Sequence, residues 1–194
     1  MRVTTPFRVA FVAGVTPDKW SRVWRERSPI PLEMIPIDQA DQERVIRDGE
    51  VDMCFVRLPV DREGLHCIPL YDEVPVVVVP VEHPVAAYDE IALAELSDEQ
   101  LVWGDVPDWQ PTTAQLDWPA MPAKDAIEVV ASGTGIVIAP MSIARLHHRK
   151  DVVHRPVTGV PTTKVGLAWL VARDADDTQA FVGIVRGRRA NSSR

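Results

Sequence analysis

Apolar residues fall along this chain in short dense runs, each cut by glycine or proline. The sharpest is 51–56, Val-Asp-Met-Cys-Phe-Val, with Gly49 before it, Pro59 after it and one charge, Asp52, near its start. A run of that kind predicts a strand buried on both faces, the mark of a parallel sheet with helices on each side. Residues 41–48 ahead of it read as one short helix, capped by Asp41 and stopped at Gly49. Arg57 then stands at the carboxyl end of the strand, the edge where open α/β sheets bind their ligands.

The same reading extends along the chain. Residues 7–12 predict a first strand, and Thr16 as N-cap with Pro17 at the first helical position starts a helix whose apolar face is Trp20, Val23 and Trp24. It stops by Ser28-Pro29, and 32–37 form a second strand with one more exposed face. The strands should run parallel, joined by right-handed crossovers. Residues 65–71 predict a short edge strand. In 74–81, Pro75 and Pro80 exclude a fully paired central position and suit a strand passing between two lobes, a plain edge strand being the alternative.

After His83-Pro84 the pattern restarts with a helical turn at 91–96 and a short strand at 100–103. Residues 104–122 hold four prolines and two tryptophans, a loop with one helical turn near 112–116. A helix at 123–131 turns Ile127, Val130 and Ala131 inward, and Ser132-Gly133-Thr134-Gly135 breaks it. A buried strand at 136–139, a helix at 142–147, strands at 152–157 and 164–171 and a helix at 174–185 follow, before a frayed basic tail, 186–194.

Length and charge narrow the function. At 194 residues the chain allows one large domain or two small lobes sharing a cleft. Its net charge of −7 argues against a nucleic-acid-binding face. No run of about 18 apolar residues could span a membrane, and the first residues lead into a strand without the apolar core of a secretion signal. Cys54 and Cys67 do not make a disulfide framework, so the expected compartment is the cytoplasm.

In their order and spacing, several segments resemble the effector-binding domain of LysR-type transcriptional regulators. Gly-Glu-Val-Asp-Met-Cys-Phe-Val-Arg at 49–57 is similar to that family's small–acid–hydrophobic–Asp–hydrophobic strand. Leu70-Tyr71-Asp72-Glu73, the valines at 76–79 with Pro80, and His83-Pro84 resemble its hinge strand and the His-Pro after it. Leu93-Ala94-Glu95-Leu96 resembles the next helix, and 128–140 its helix, Gly-x-Gly turn, strand and proline. The resemblance implies two Rossmann-like lobes with a hinge and a central cleft, as in type 2 periplasmic binding proteins. Lobe I would take 1–78 and 165–194, and lobe II 79–164. It also implies a homodimer, paired through the first helix and second strand. The chain departs from the family in lacking its winged helix-turn-helix and linker helix, and in a 104–122 segment that is short and rich in proline and tryptophan.

Three loops are expected to face the cleft. The first, Ala13-Gly14-Val15-Thr16, lies at a strand end and a helix start, where backbone N–H groups favour an anion; Thr16 either adds a donor or only caps its helix. In the second, Arg57-Leu58-Pro59, the guanidinium either grips a ligand carboxylate or pairs with Asp61 or Glu63. The third is Ser132-Gly133-Thr134-Gly135, whose glycines let backbone approach a ligand, and which serves equally as a helix C-cap. Trp103 either stacks on a ligand or packs under the proline-rich loop. His147 and His148 are adjacent, on different helix faces, and with His154 make a surface cluster rather than a metal site. The Gly-x-Gly turn ends a helix rather than opening one, so no nucleotide cofactor is expected, and no Gly-x-Ser-x-Gly elbow occurs. Taken with the resemblance, which implies a sensor domain, these features lead to the expectation of a small, anionic effector, no cofactor and no nucleic-acid or membrane contact. An enzyme acting on a small acid, built on the same two-lobe scaffold, is the alternative.

Overall fold

The computed structural model describes residues 5–187. In chain order the elements are β1 Phe7–Val12, α1 Asp18–Arg27, β2 Leu32–Ile37, α2 Arg44–Arg47, β3 Met53–Arg57, β4 Leu65–Glu73 and β5 Pro75–Pro80. There follow β6 Ile91–Ala92, β7 Leu101–Trp103, α3 Ala123–Ala131, β8 Ile136–Pro140, α4 Met141–Leu146, β9 Val152–Thr158, β10 Thr163–Leu170 and α5 Asp176–Val185. The chain divides into two units. The first runs up to Tyr71 and resumes at Lys164, and the second is Asp72–Thr163. The chain therefore leaves the first unit inside β4, seven residues before the expected boundary at 78, and β5 belongs wholly to the second. The expected tail beyond Gly187 lies outside the described residues.

The first unit is built on a sheet of order β2-β1-β3-β10-β4. β1 runs parallel to both β2 and β3, as the strand–helix–strand pattern requires, and β10 runs antiparallel to β3. Alternation along β3 sends Met53 and Phe55 into one core and Cys54 and Val56 into another. The first core is aromatic. Phe7 stacks on Trp24 at 4.9 Å, Trp20 stacks on Phe55 at 4.6 Å, and Phe181 of α5 meets Trp24 edge-on at 5.6 Å. Trp24 also donates its indole N–H to the Ile30 carbonyl at 2.8 Å, so the ring is fixed at both ends.

The starts of α1 and α2 differ from expectation. Pro17, not Thr16, stands at the N-cap of α1, where its carbonyl accepts from Trp20 and Ser21 at 3.0 Å each. Proline has no N–H to lose there, and Thr16 is left outside the helix with nothing to cap. The expected helix at 41–48 breaks into a 3-10 turn, Gln39–Asp41, and the single turn of α2. The Asp41 carboxylate is held by Arg44 at 3.0 Å instead of capping. Gly49, at φ +68°, ends the segment as expected.

The second unit carries a sheet of order β6-β9-β5-β8-β7. β5 is its central strand, antiparallel to β8 on one side and β9 on the other, which overturns the expectation from its prolines. Pro75 and Pro80 occupy the first and last positions, opposite Pro140 and Val152, so the four valines between them keep every N–H for the ladder. Val76 and Val78 face α3 and α4, while Val77 and Val79 pack beneath the turns on the other side. Ala126, Ile127 and Val130 are the buried positions of α3, and Ala131, expected inward, is half-buried. The 91–96 segment is the two-residue strand β6 followed by a 3-10 turn.

No helical turn forms at 112–116, where the Thr112 N–H is given to the Ser97 carbonyl at 2.6 Å rather than to a carbonyl of its own turn. The loop is instead held by two glutamines. Gln100 accepts from the Leu116 N–H and Gln115 from the Leu101 N–H, both at 2.9 Å. The last helix begins at Asp176, not 174, because the Thr178 hydroxyl takes the Ala175 N–H at 2.7 Å and sets the start there.

Candidate functional site

Arg57 is the last residue of β3 and shares the parity of Met53 and Phe55, which directs its side chain toward the end of β1. The residue is only 3% exposed. Its Nη2 donates to the Ala13 carbonyl at 2.7 Å and its Nη1 to Gln39 Oε1 at 3.4 Å. The structure thus brings Arg57 together with the β1–α1 loop, two of the expected segments 44 residues apart. Asp61 and Glu63, the alternative partners, are engaged by Arg47. Its guanidinium donates to both backbone carbonyls at 2.9 Å and sits 3.2 Å from the Asp61 carboxylate.

Within that loop the residues divide by accessibility. Ala13 and Thr16 are exposed and Gly14, at φ +87°, is half-buried. Val15 is 4% exposed, packs in the aromatic core and donates its N–H to the Val12 carbonyl at 3.2 Å. Leu58 packs partly buried on the opposite core and donates its N–H to the Lys164 carbonyl at 2.9 Å.

Gln42 was not legible as a site residue. It is 8% exposed; its Nε2 donates to the Arg57 carbonyl at 3.0 Å and its Oε1 accepts the Arg57 N–H at 2.9 Å. The only hint in the sequence is a glutamine set among charged residues ahead of a buried strand.

In the second unit the Ser132-Gly133-Thr134 turn is exposed and closes α3. Ser132 Oγ donates to the Val129 carbonyl at 2.6 Å, so its hydroxyl serves its own helix. Gly135 is obligatory for packing. At φ +65°, a Cβ there would stand 2.4 Å from the Gln100 carbonyl oxygen. Trp103 packs on the core of this unit, as do Trp118 and Met121 of the proline-rich loop. A groove of about 550 Å³ lined by Leu93, Ser97, Trp109, Thr112 and Thr158 also lies in this unit, and none of the expected site residues lines it.

His147 and His154 sit among cations. Burial and then Lys124 hold His147 below its usual value, and burial with Arg145, Arg155 and His148 does the same for His154. Among the described residues no three His, Cys, Asp or Glu side chains gather as a metal ion would need. No helix of the described residues is long and apolar enough to cross a membrane.

Two α/β units, each on its own five-stranded sheet, with a chain that leaves the first, builds the second and returns, define a type 2 periplasmic-binding-protein-like fold. Solved structures share it. The BenM effector-binding domain with its effector benzoate aligns with a TM-score of 0.77 at 18% identity over 94% of this chain and 90% of that one. The reduced OxyR regulatory domain from Pseudomonas aeruginosa aligns with a TM-score of 0.70 at 23% identity, covering 97% and 96%.

The LysR substrate binding domain family matches residues 21–190, and the chain belongs to that family. The Hca operon transcriptional activator HcaR of Escherichia coli K12 is 30% identical over 187 residues, which is 87% of this chain and 62% of HcaR. The transcriptional regulator CatR of Pseudomonas putida is 26% identical over 145 residues, 68% of this chain and 49% of CatR. The chain therefore spans 62% and 49% of the length of these relatives, both of them transcriptional regulators.

Proposed function

We propose that this chain is the effector-sensing part of a LysR-type regulator, that its effector is a small organic carboxylate, and that it carries out no catalysis. The supporting observation is Arg57, a cationic side chain 3% exposed and fastened at 2.7 Å to the carbonyl of Ala13, beside the exposed β1–α1 loop. A guanidinium is a permanent cation, and shelter from water strengthens its hydrogen bond to an anion. Gly14 and Thr16 of the loop and Leu58 beyond the strand complete the contact on this unit. Val15 acts only by shaping the loop, and Ser132 and Trp103 serve the packing of their own unit. The benzoate of the BenM domain, a fold relative, is in keeping with a carboxylate.

A thermal-shift screen of small carboxylates, followed by calorimetry of those that stabilise the chain, tests this reading. Arg57→Ala should weaken the bound carboxylate by about 10- to 100-fold, equivalent to ~1.5–3 kcal/mol. An unchanged affinity would remove Arg57 from the site. We also propose a homodimer, paired through α1 and the edge strand β2. Since Trp20 and Trp24 are 7% and 1% exposed, the outer face of α1 rather than these rings would make the contact. A monomeric mass by light scattering at tens of micromolar would rule the dimer out.

A further inference from the structure

Resting on the carboxylate reading above, we infer that Gln42 is a positioning residue for Arg57, setting the anion preference of the site without touching the ligand. At the end of β3 the two edges of the strand are unequally supported. β10 pairs alongside Arg57 through Val165, whereas the pairing of β1 reaches only Phe11 opposite Phe55. On the open edge the side-chain amide of Gln42 takes the place of a strand. Its N–H donates to the Arg57 carbonyl at 3.0 Å, and its oxygen accepts the Arg57 N–H at 2.9 Å. A primary amide carries the donor and acceptor that a peptide unit carries, so the ladder gains one more rung.

Gln39, three residues earlier, accepts from the Arg57 guanidinium at 3.4 Å. One short segment therefore grips Arg57 at its backbone and at its head, and the Ala13 carbonyl accepts from Nη2 at 2.7 Å. Gln42 and Arg57 are 8% and 3% exposed, so water is a poor substitute for either bond. An arginine otherwise spends considerable rotamer freedom to meet an anion. Here that ordering is complete before a ligand arrives.

A residue that only stabilises the fold would weaken every ligand alike. One that aims a cation weakens the charge-dependent part alone. The probes are therefore benzoate and its uncharged counterpart benzamide, measured by calorimetry on the whole chain, on Arg57→Ala and on Gln42→Leu. Gln42→Leu should weaken benzoate by about 5- to 10-fold, less than Arg57→Ala, and leave benzamide within about twofold. If Gln42→Leu does not fold, Gln42→Met takes its place. It keeps the length of the side chain and adds no charge but loses both hydrogen bonds to the Arg57 backbone, and the same selective loss is expected. Equal weakening of both probes, or no weakening of benzoate, overturns the inference while the carboxylate reading stands. Failure of the unmodified chain to bind any carboxylate of the screen, benzoate included, or indifference of the bound carboxylate to Arg57→Ala, overturns the carboxylate reading at this site, and the inference with it.

Discussion

The two units fill their cores by different means. In the first, one face of the sheet is packed with rings, Phe7, Trp20, Trp24, Phe55 and Phe181, in stacked and edge-on pairs. In the second the corresponding volume is made of small β-branched and aliphatic residues, with Val76, Val78 and Val137 against Ala126, Ile127 and Val130. Rings concentrate burial in a few positions whose loss the neighbours cannot repair. A valine-lined sheet spreads it over many positions, each worth less, and relies on the closeness of its backbones.

Truncating a ring is the strongest way to break that contrast. Trp24→Ala removes a side chain 1% exposed and should cost about 3–5 kcal/mol in urea unfolding, whereas Val78→Ala in the other unit should cost only about 1–2 kcal/mol. Equal costs would mean the units do not differ in the way their cores suggest.

The glycines reverse the ranking. Gly135→Ala forces a Cβ to 2.4 Å from the Gln100 carbonyl oxygen and 2.8 Å from Val102 Cγ2, at φ +65°, and should destabilise the second unit by about 2–3 kcal/mol. Gly49 in the first unit has a similar φ of +68° but open space around it, so Gly49→Ala should cost about 1 kcal/mol, the conformational part alone. Urea midpoints of the two variants check both values.

The smallest effect should come from pH. His147 and His154 have folded values below the usual 6.5, so the unfolded chain takes up protons first as pH falls. The stability they carry is present above that value and is lost as pH drops through their folded values. In the first unit Asp177 is held below the usual 3.8, chiefly by its hydrogen bonds from Arg173, so its contribution is present above 3.8 and lost only in stronger acid. Acidification should weaken the second unit first. Urea unfolding at pH 7.5 and 5.5 should show the loss, and His147→Gln with His154→Gln should flatten it.

These contrasts bear on what could be read before any coordinates. Strong periodicity was enough for β2 and α3, whose limits match expectation, because alternation and a flanking proline are local signals. The central place of β5 was hidden because a proline at the end of a strand and one inside it look alike until pairing partners are known. Thr16 as a cap failed because Pro17 could take that position itself. Arg57 was legible as a candidate since it closes an apolar run. Its holders were not, because Ala13 contributes only a carbonyl and Gln42 acts across 15 residues through an amide with no periodic signature.

The thiols of the first unit offer an internal clock. Burial pushes Cys54 up to about 12 and leaves it 0% exposed in the middle of β3, while Cys67 on β4 is only partly buried and raised less. Only a thiolate attacks a disulfide reagent, so Cys67 should be modified in the folded protein and Cys54 only when the sheet parts around it. The second, slower phase of labelling would then count openings of the β1–β3–β10 core, and if a carboxylate binds at Arg57, at the end of the same strand, it should slow that phase by favouring the closed sheet.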